Sequence, residues 1–218
     1  MLPVHPDSTI VFVTALKRES EVLQRLITCK TIRSLSDLQN LSQTRGDIYL
    51  IEVGIGLKNF GENLDPVFRV IQPDFIINYG ICGILNTENK ILQNYLIDKI
   101  CFMNGQSIKT LQNHLWQNLE RSAGFFTDSL LTSDQPVMTI SKRTQLLKTW
   151  GCGLVDMEAS HIAQSAISLN IPLIVIKCAT DFADENTSKT VSTSVDRWQK
   201  ILSEGLKEIL HYVMKRKN

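Results

Sequence analysis

The sequence lacks an excess of charge of either sign. Its 218 residues contain 23 Lys and Arg against 22 Asp and Glu, a formal net charge of +1 at pH 7 with His neutral. Proteins that hold nucleic acid or an anionic membrane through a general electrostatic field need a basic excess. The basic run Lys215-Arg216-Lys217 is too short to supply it. We therefore expect no nucleic-acid partner.

Long apolar runs are also missing. The longest apolar stretches have the length of buried strands, whereas a membrane-spanning helix needs roughly 20 apolar residues. The N-terminal residues lack the pattern of a signal peptide. We therefore expect no stable membrane insertion and a cytoplasmic protein.

Paired cysteine motifs are absent as well. The five cysteines are odd in number and form no C-x-x-C pair, and four of them neighbour apolar residues. This pattern favours buried, reduced thiols over disulfides or a zinc site. We expect neither a bound metal nor a cofactor. The cysteines are Cys29, Cys82, Cys101, Cys152 and Cys178.

The dinucleotide-binding fingerprint fails at its third glycine. Gly54-Ile55-Gly56 follows an apolar run, but Asn59 stands where the last glycine of G-x-G-x-x-G is required. A dinucleotide-binding oxidoreductase, the class that this fingerprint would indicate, also needs an acid at the end of the next strand, whereas Asp74 precedes that strand. The two glycines are compatible with a ligand-binding turn or with a plain tight turn.

Apolar stretches of strand length alternate with amphipathic stretches along the whole chain, without linker, repeat or low-complexity segment. This order predicts a single domain over 1–218, a three-layer α/β/α sandwich with a mostly parallel central sheet. The expected strands are 9–15, 48–53, 75–78, 96–103, 124–131 and 173–176. The expected helices are 17–27, 59–71, 108–121, 142–150, one that begins at 159 and stops before Pro172, and 191–214.

Carboxyl groups gather near the ends of the expected strands. Asp156 and Glu158 precede the helix at 159, Asp181 follows the strand at 173, and Glu19 lies just beyond the first strand. Ligands of open α/β sheets bind beyond the carboxyl ends of the strands, so these acids are candidates for one site. For the acids at helix starts, a favourable interaction with the helix dipole is an equally good explanation.

Five motifs occur together in one order. The motifs are Val-Thr-Ala-Leu-x-x-Glu-Ser at 13–20, Gly-Ile-Gly at 54–56, Asn-Tyr-Gly-Ile-Cys-Gly at 78–83, Val-Asp-Met-Glu-Ala at 155–159 and Thr-Asp-Phe-Ala-Asp at 180–184. With them the chain resembles the purine nucleoside phosphorylase/nucleosidase superfamily, and within it the methylthioadenosine/S-adenosylhomocysteine nucleosidases. It is also similar to phosphorylase-like proteins associated with hopanoid synthesis, which are proposed to act on an adenosylated lipid.

The resemblance implies a nucleoside phosphorylase-like fold and cleavage of a purine N-glycosidic bond. Glu19 would activate water, Glu158 would hold the ribose hydroxyls with Met157 packed on the sugar, and Asp181 would protonate N7 of the leaving base. The partner would be a small purine nucleoside, and the protein would form a homodimer or higher homo-oligomer. The further substrate-binding residues implied are Gly54, Ile81, Gly83, Val137 and Lys177.

Several positions depart from that family. Only 104–106 stand where the nucleosidases have a long excursion, Pro136 with Val137 replaces a stacking aromatic, and Lys177 replaces an arginine. The 5′ substituent is therefore open, and an adenosylated lipid or mere nucleoside binding stay as alternatives. A phosphorylase needs cationic or backbone hydrogen-bond donors around a bound phosphate, and Arg18 and Lys58 are candidates for them. Glu19 near the site would repel phosphate, so hydrolysis is favoured over phosphorolysis. His161, on a polar helix face, is expected at a surface or subunit contact.

Overall fold

The computed structural model describes residues 8–41, 46–61, 63–103, 107–109, 117, 119–121 and 124–214. The short connection at 104–106, most of the expected helix 108–121 and the basic run at 215–217 lie outside these residues. At the start of that expected helix, 107–109 forms a strand instead, because it pairs antiparallel with the strand before it.

Within this part of the chain, nine strands form one mixed sheet. The first, the eighth and the last strand are buried along their whole length. For the first and the last, this is expected of runs rich in β-branched residues that are covered on both faces. The strands are β1 Ile10–Thr14, β2 Lys30–Ile32, β3 Ile48–Glu52, β4 Phe75–Ile84, β5 Gln93–Phe102, β6 Ser107–Lys109, β7 Phe125–Thr132, β8 Leu154–Asp156 and β9 Leu173–Asp181.

The described helices follow the amphipathic stretches: the helices expected over 17–27 and 142–150 are 17–24 and 140–150, and two others differ more. The helix expected from 59 begins at 65, because Gly56 and Gly61 have positive φ angles and Pro66 is suited to a first helical turn. The helix expected over 191–214 is two helices, divided at Ser194. The helices are α1 Lys17–Gln24, α2 Asp65–Ile71, α3 Ile140–Trp150, α4 Ala159–Ser168, α5 Thr187–Thr193 and α6 Val195–Met214.

The sheet is parallel from β2 through β3, β1 and β4 to β9. Most strand pairings in the described sheet are parallel, as expected, but beyond that point the expected sandwich needs correction, because the sheet closes on itself. β9 pairs antiparallel with β5, β5 and β7 lead to β8, and β8 pairs antiparallel with β4, so β4, β8, β7, β5 and β9 form a closed ring. Irregularities at Cys82/Gly83 and at Ile97/Lys99 bend the long strands, which lets each one exchange partners along its length.

Helices cover both faces of this sheet, in agreement with a layered α/β fold. One apolar core lies between the sheet and α2 with α4, and a second lies between the sheet and α1 with α6. A smaller third core packs beneath α3. Among the described residues, none of the helices combines the length and apolar character needed to cross a membrane.

Candidate active site

A cavity of about 190 Å³ opens where β1, β4, β7, β8 and β9 end. Chain segments that are far apart in sequence meet around it, because residues near the ends of all five strands line it. Of the residues proposed from the sequence, seven line this cavity, namely Glu19, Ile81, Gly83, Val137, Met157, Glu158 and Asp181. Gly54 and Lys177 do not line it.

Glu19 is held almost without freedom. Its side chain is buried, and Oε2 accepts hydrogen bonds from Thr14 Oγ1 at 2.6 Å, Ala15 N at 3.1 Å and Leu16 N at 2.8 Å. Oε1 accepts one from Ile81 N at 2.8 Å. A Cβ at position 80 would lie 2.7 Å from Oε1, so only Gly80 admits this close approach. A carboxylate offers about two lone-pair positions on each oxygen. Oε2 is therefore fully occupied, and Oε1 has one position left for another donor.

Asp156 and Lys177 form a buried ion pair beside the cavity. Lys177 Nζ lies 2.8 Å from Asp156 Oδ2, and both side chains are almost inaccessible to solvent. Burial opposes the charged ammonium, but the carboxyl groups of Asp156 and Glu158 outweigh that effect and raise the pKa of Lys177. Lys177 therefore compensates the negative charge of the acidic residues and does not line the cavity itself.

The other contacts of Asp156 bind it to the start of α4. Its Oδ1 accepts a hydrogen bond from Thr132 Oγ1 at 2.9 Å, and its Oδ2 accepts one from Ala159 N at 3.1 Å. Thr132 Oγ1 in turn accepts from Ser160 N at 2.9 Å. Asp156 is thus the carboxyl group that serves the helix start, and Glu158 is free for another role.

Glu158 sits between these fixed groups and the glycine turn. Its Oε1 accepts a hydrogen bond from Gly56 N at 3.0 Å, and its Oε2 accepts one from Met157 N at 3.3 Å. Burial and the neighbouring charge of Asp156 raise the pKa of Glu158 to about 7, against the lowering influence of Lys177 and the Gly56 hydrogen bond. Near neutral pH, Glu158 therefore exchanges between its neutral and its ionised form.

The glycine turn acts on the site through Glu158. Gly54 and Gly56 both have positive φ angles, which side chains other than glycine rarely adopt. This backbone path directs Gly56 N toward Glu158 and places Ile55, which is 44% exposed, on the cavity wall. Gly54 packs against the Asn59 side chain instead. Of the two readings left open by the sequence, the turn is therefore more than a simple reversal.

Asp181 lies at the end of β9 with both oxygens engaged. Its Oδ1 accepts hydrogen bonds from Ala183 N at 2.8 Å and from Thr187 Oγ1 at 2.7 Å, and its Oδ2 accepts one from Thr180 Oγ1 at 2.8 Å. Ala183 has a φ of +47°, an unfavourable conformation for alanine that tends to occur at functional sites. A Cβ on Gly83 would come within 3.3 Å of Oδ1, so the glycine leaves room for the carboxyl group.

The rest of the cavity wall is largely apolar. Leu16, Ile55, Pro136 and Val191 contribute to it together with Val137 and Met157. No lysine, arginine or histidine belongs to the lining formed by the described residues, so Arg18, Lys58 and His161 lie elsewhere. Among those residues no group of three or more His, Cys, Asp or Glu is arranged to hold a metal ion.

Sequence reasoning missed two features of the site. The Asp156–Lys177 ion pair was signalled only by a lysine inside an otherwise apolar strand, which requires a buried partner. The contact of Thr187 with Asp181 left no recognisable signal, because threonine is an ordinary residue at the start of a helix.

Known proteins that are similar to this chain in sequence or in fold are nucleosidases and members of the Phosphorylase superfamily. A model of the Phosphorylase superfamily matches residues 127–214 of the chain. A 5′-methylthioadenosine/S-adenosylhomocysteine nucleosidase of Buchnera aphidicola subsp. Schizaphis graminum is 26% identical over 203 residues, which cover 82% of this chain and 86% of the relative. The nucleosidase of the same name from Staphylococcus aureus is 21% identical over 198 residues, with 80% and 87% covered.

Solved structures show the same fold. The 5′-methylthioadenosine/S-adenosylhomocysteine nucleosidase from Neisseria meningitidis, in complex with methylthio-immucillin-A, superposes with a TM-score of 0.76 at 18% identity, over 93% of this chain and 98% of that one. Futalosine hydrolase of Helicobacter pylori gives a TM-score of 0.78 at 14% identity, with 94% and 97% covered. These structures show the fold, and the resemblance to the nucleoside phosphorylase/nucleosidase superfamily is confirmed by the family model and the relatives named above.

Proposed function

We propose that the protein hydrolyses the N-glycosidic bond of a purine nucleoside with an adenine-type base and a modified 5′ position. The observation that carries this proposal is the meeting of Glu19, Glu158 and Asp181 around one apolar cavity of about 190 Å³. The relatives named as nucleosidases support the same reaction.

The reaction requires acids at both ends of the bond that breaks. As the bond lengthens, the sugar becomes cationic and the departing purine gains negative charge. A carboxylate near the ribose stabilises the cation, and a carboxylic acid near N7 neutralises the base. Glu158 and Asp181 are suited to these two tasks because they enter the cavity from different elements, the start of α4 and the end of β9.

Glu158 is assigned to the ribose hydroxyls. Its backbone partners, Gly56 N and Met157 N, hold it by one bond at each oxygen and leave further lone pairs for hydroxyl donors. With a pKa of about 7, it becomes fully ionised when a cationic sugar develops beside it, since an opposite charge favours the carboxylate. Met157 lines the cavity next to it and would pack on the sugar.

Glu19 is assigned to the attacking water. The remaining acceptor position on Oε1 lies beside Ile81 and the close contact with Gly80, at the base of the cavity. A water molecule bound there would be oriented by a carboxylate that cannot rotate. Orientation of this kind lowers the entropic part of the barrier.

Hydrolysis is favoured over phosphorolysis by the charges around the cavity. Four carboxyl groups line its described part, those of Glu19, Asp156, Glu158 and Asp181, without a cationic side chain among the lining residues. A phosphate dianion would be repelled by any of these carboxyl groups that is ionised and would find no cationic donor among the lining residues, whereas water is neutral.

The 5′ side of the proposed substrate is the open question of specificity. Ile55, Pro136 and Val191 form an apolar wall, and Ile55 is exposed at the rim. Such a wall suits a long or lipid-like 5′ group, which makes an adenosylated lipid the second candidate substrate. A nucleoside-binding protein without turnover is disfavoured, because it has no use for three buried carboxyl groups, which cost free energy.

We further propose a cytoplasmic homo-oligomer. The apolar side chains Val70 on α2 and Ile167 on α4 are exposed on neighbouring helices, where a second copy could cover them. Light scattering coupled to gel filtration measures the oligomeric state directly, and a purely monomeric protein would contradict this part of the proposal.

The test of the reaction is the release of free base. Wild-type protein is incubated with purine nucleosides, including 5′-alkylthio forms, with and without inorganic phosphate, and free base and sugar product are separated chromatographically. We expect adenine release, independent of phosphate, with free ribose derivative as the second product. Asp181→Asn should lower kcat about 10²-fold, the usual loss when a general acid is removed.

Asp196→Asn is the matched control, because Asp196 lies in the first turn of α6 and outside the cavity lining. It should keep wild-type activity. Base release that requires phosphate, or near-normal turnover by a folded Asp181→Asn protein, would contradict the proposed mechanism.

A further inference from the structure

We infer that Thr187 is a positioning residue that decides which oxygen of Asp181 carries the catalytic proton. The inference rests on the proposed function, in which Asp181 is the general acid. It concerns a residue on the short helix α5 that approaches the cavity and contacts Asp181 directly.

The Thr187 hydroxyl group accepts one hydrogen bond and donates another in a fixed direction. Its Oγ1 accepts a hydrogen bond from Asp184 N at 3.0 Å, so one lone pair is already occupied by a backbone donor. Its single hydroxyl proton is then directed at Asp181 Oδ1, 2.7 Å away. Ala183 N donates to the same oxygen at 2.8 Å. Oδ1 thus receives two donors and is kept as an acceptor.

Oδ2 of Asp181, unlike Oδ1, has a donor that can turn to another acceptor. This oxygen meets Thr180 Oγ1 at 2.8 Å, and the Thr180 hydroxyl has another acceptor, Cys82 O, at 3.3 Å. When Asp181 is neutral, Thr180 can turn its proton to Cys82 O and leave Oδ2 free to carry a hydrogen. The proton of the neutral acid therefore resides on Oδ2.

The transfer is balanced on these atoms. The Oδ2–H bond breaks, its electron pair stays on the carboxyl group, and the proton forms a new bond to N7, which takes up the negative charge of the departing purine. The resulting carboxylate is stabilised at Oδ1 by Thr187 and Ala183 and at Oδ2 by the Thr180 hydroxyl, which turns back. Charge-assisted hydrogen bonds of this kind are about twice as strong as neutral ones.

The segment that presents Thr187 is anchored from outside the cavity. Arg143 Nη1, on α3, donates to Phe182 O at 2.8 Å, and Ile140 N donates to Glu185 Oε1 at 3.2 Å. These contacts fix the chain between Asp181 and α5. Thr187 is consequently held in place by a neighbouring helix as well as by its own hydrogen bonds.

Other titratable or charged groups surround Asp181. Asp156 is paired with Lys177, Asp184 lies 3.9 Å from Arg143, and burial raises the pKa of Cys82 well above its ordinary value, so that thiol stays neutral. Glu158, with a pKa of about 7, governs the acid limb of a pH profile. Among the described residues, the titratable or charged groups around Asp181 on the side of the active-site cavity are Glu19, Cys82, Arg143, Asp156, Glu158, Lys177 and Asp184. Lys189 and Arg197 line a second cavity that also borders Asp181.

The experiment compares hydroxyl and methyl at one position. Thr187→Val and Thr187→Ala remove the donor, Thr187→Ser keeps it, and Thr193→Val removes a hydroxyl of the same helix that bonds only to backbone carbonyls. For each protein, kcat and KM for adenine release are measured across pH, and thermal unfolding verifies the fold.

We expect the donor-free variants to lose about tenfold in kcat with KM changed less than about twofold, because the acid is misoriented while the nucleoside still binds. Thr187→Ser keeps the donor and should therefore keep the kcat of the wild type, and Thr193→Val should keep it as well.

Donor-free variants that keep the kcat of the wild type, or in which KM changes as much as kcat, would overturn the inference, because the hydroxyl would then not act on the proton-transfer step. The same conclusion follows if Thr187→Ser lowers kcat as much as Thr187→Val does. A wild-type protein that releases no base would instead remove the proposed function, and this inference with it.

Discussion

Glu158 carries a cost for stability that the proposed chemistry requires. Burial and the charge of Asp156 raise the pKa of Glu158 to about 7 from its ordinary value of 4.5. A carboxyl group whose pKa is higher in the folded state binds more protons when folded than when unfolded. The free energy of unfolding therefore falls as pH rises from about 4.5 to 7, and the loss is complete above the folded-state pKa.

Glu158→Gln removes this titration. We expect the variant to gain stability relative to wild type as pH rises from 5 to 8, by about 1–3 kcal/mol over that window, since one pKa unit corresponds to about 1.4 kcal/mol. Urea unfolding at several pH values measures the difference. A difference that does not depend on pH would show that Glu158 titrates as it does in the unfolded chain. Activity should fall in the same variant, which separates stability from function.

The buried ion pair of Asp156 and Lys177 joins β8 to β9 beside the cavity. Removal of one partner from a buried ion pair leaves the other charge without compensation. The pair therefore holds the start of α4 against the central strand, and any change to it acts on two elements at once.

Lys177→Met should lower the free energy of unfolding by about 3–5 kcal/mol, because Asp156 is then buried and unpaired. The double variant Lys177→Met/Asp156→Asn should recover much of that loss. Arg25→Met is the comparison, since its ion pair with Glu21 is exposed and such pairs contribute about 0–1 kcal/mol. Chemical denaturation measures all three, and equal losses for Lys177→Met and Arg25→Met would contradict a structural role of the buried pair.

These elements also show how far the sequence could predict the structure. The continuous apolar runs of β1 and β9 and the amphipathic pattern of α4 are local signals, and they predicted that Glu19, Glu158 and Asp181 follow strands or begin a helix; in the structure all three line one cavity. The closed ring could not be predicted, because it depends on irregular pairing at Cys82/Gly83 and Ile97/Lys99. A bulge leaves no reliable mark in a single sequence, and strand pairing between distant segments leaves none either.

The position of Lys177 was lost for a related reason. An alternating pattern predicts which side of a strand a residue faces, but β9 is buried on both sides. Which face carries the cavity is then decided by the helices packed on each side. The sequence therefore indicated a lysine close to the site, and its partner Asp156 became evident only from the packed structure.

For the molecule as a whole, the exposed rim of the cavity bears on the choice of substrate. Ile55 is 44% exposed where it borders the cavity, and Pro136 and Val191 continue the apolar wall. A wall of this type discriminates weakly between longer substituents, because each methylene changes binding by only about 1–3 kcal/mol.

We expect kcat/KM to stay level or to rise as the 5′ substituent of an adenosine nucleoside is lengthened from methylthio to long alkyl. The measurement is adenine release across such a series. Ile55→Asp should reverse the trend, since a charge at the rim opposes apolar chains, and Ile140→Asp serves as the control at an exposed residue outside the lining. A steep fall beyond methylthio in the wild type would return the protein to the specificity of a methylthioadenosine nucleosidase.

The closed ring of β4, β8, β7, β5 and β9 has a consequence for the timing of assembly. Three of the four carboxyl groups stand on, or directly after, strands of this ring, so none of the three can leave its position unless pairing on two sides is broken. The ordering entropy of the site is therefore lost during folding, before any nucleoside arrives. Binding energy from the substrate is then left to act on the bond that breaks, which is the benefit of preorganisation.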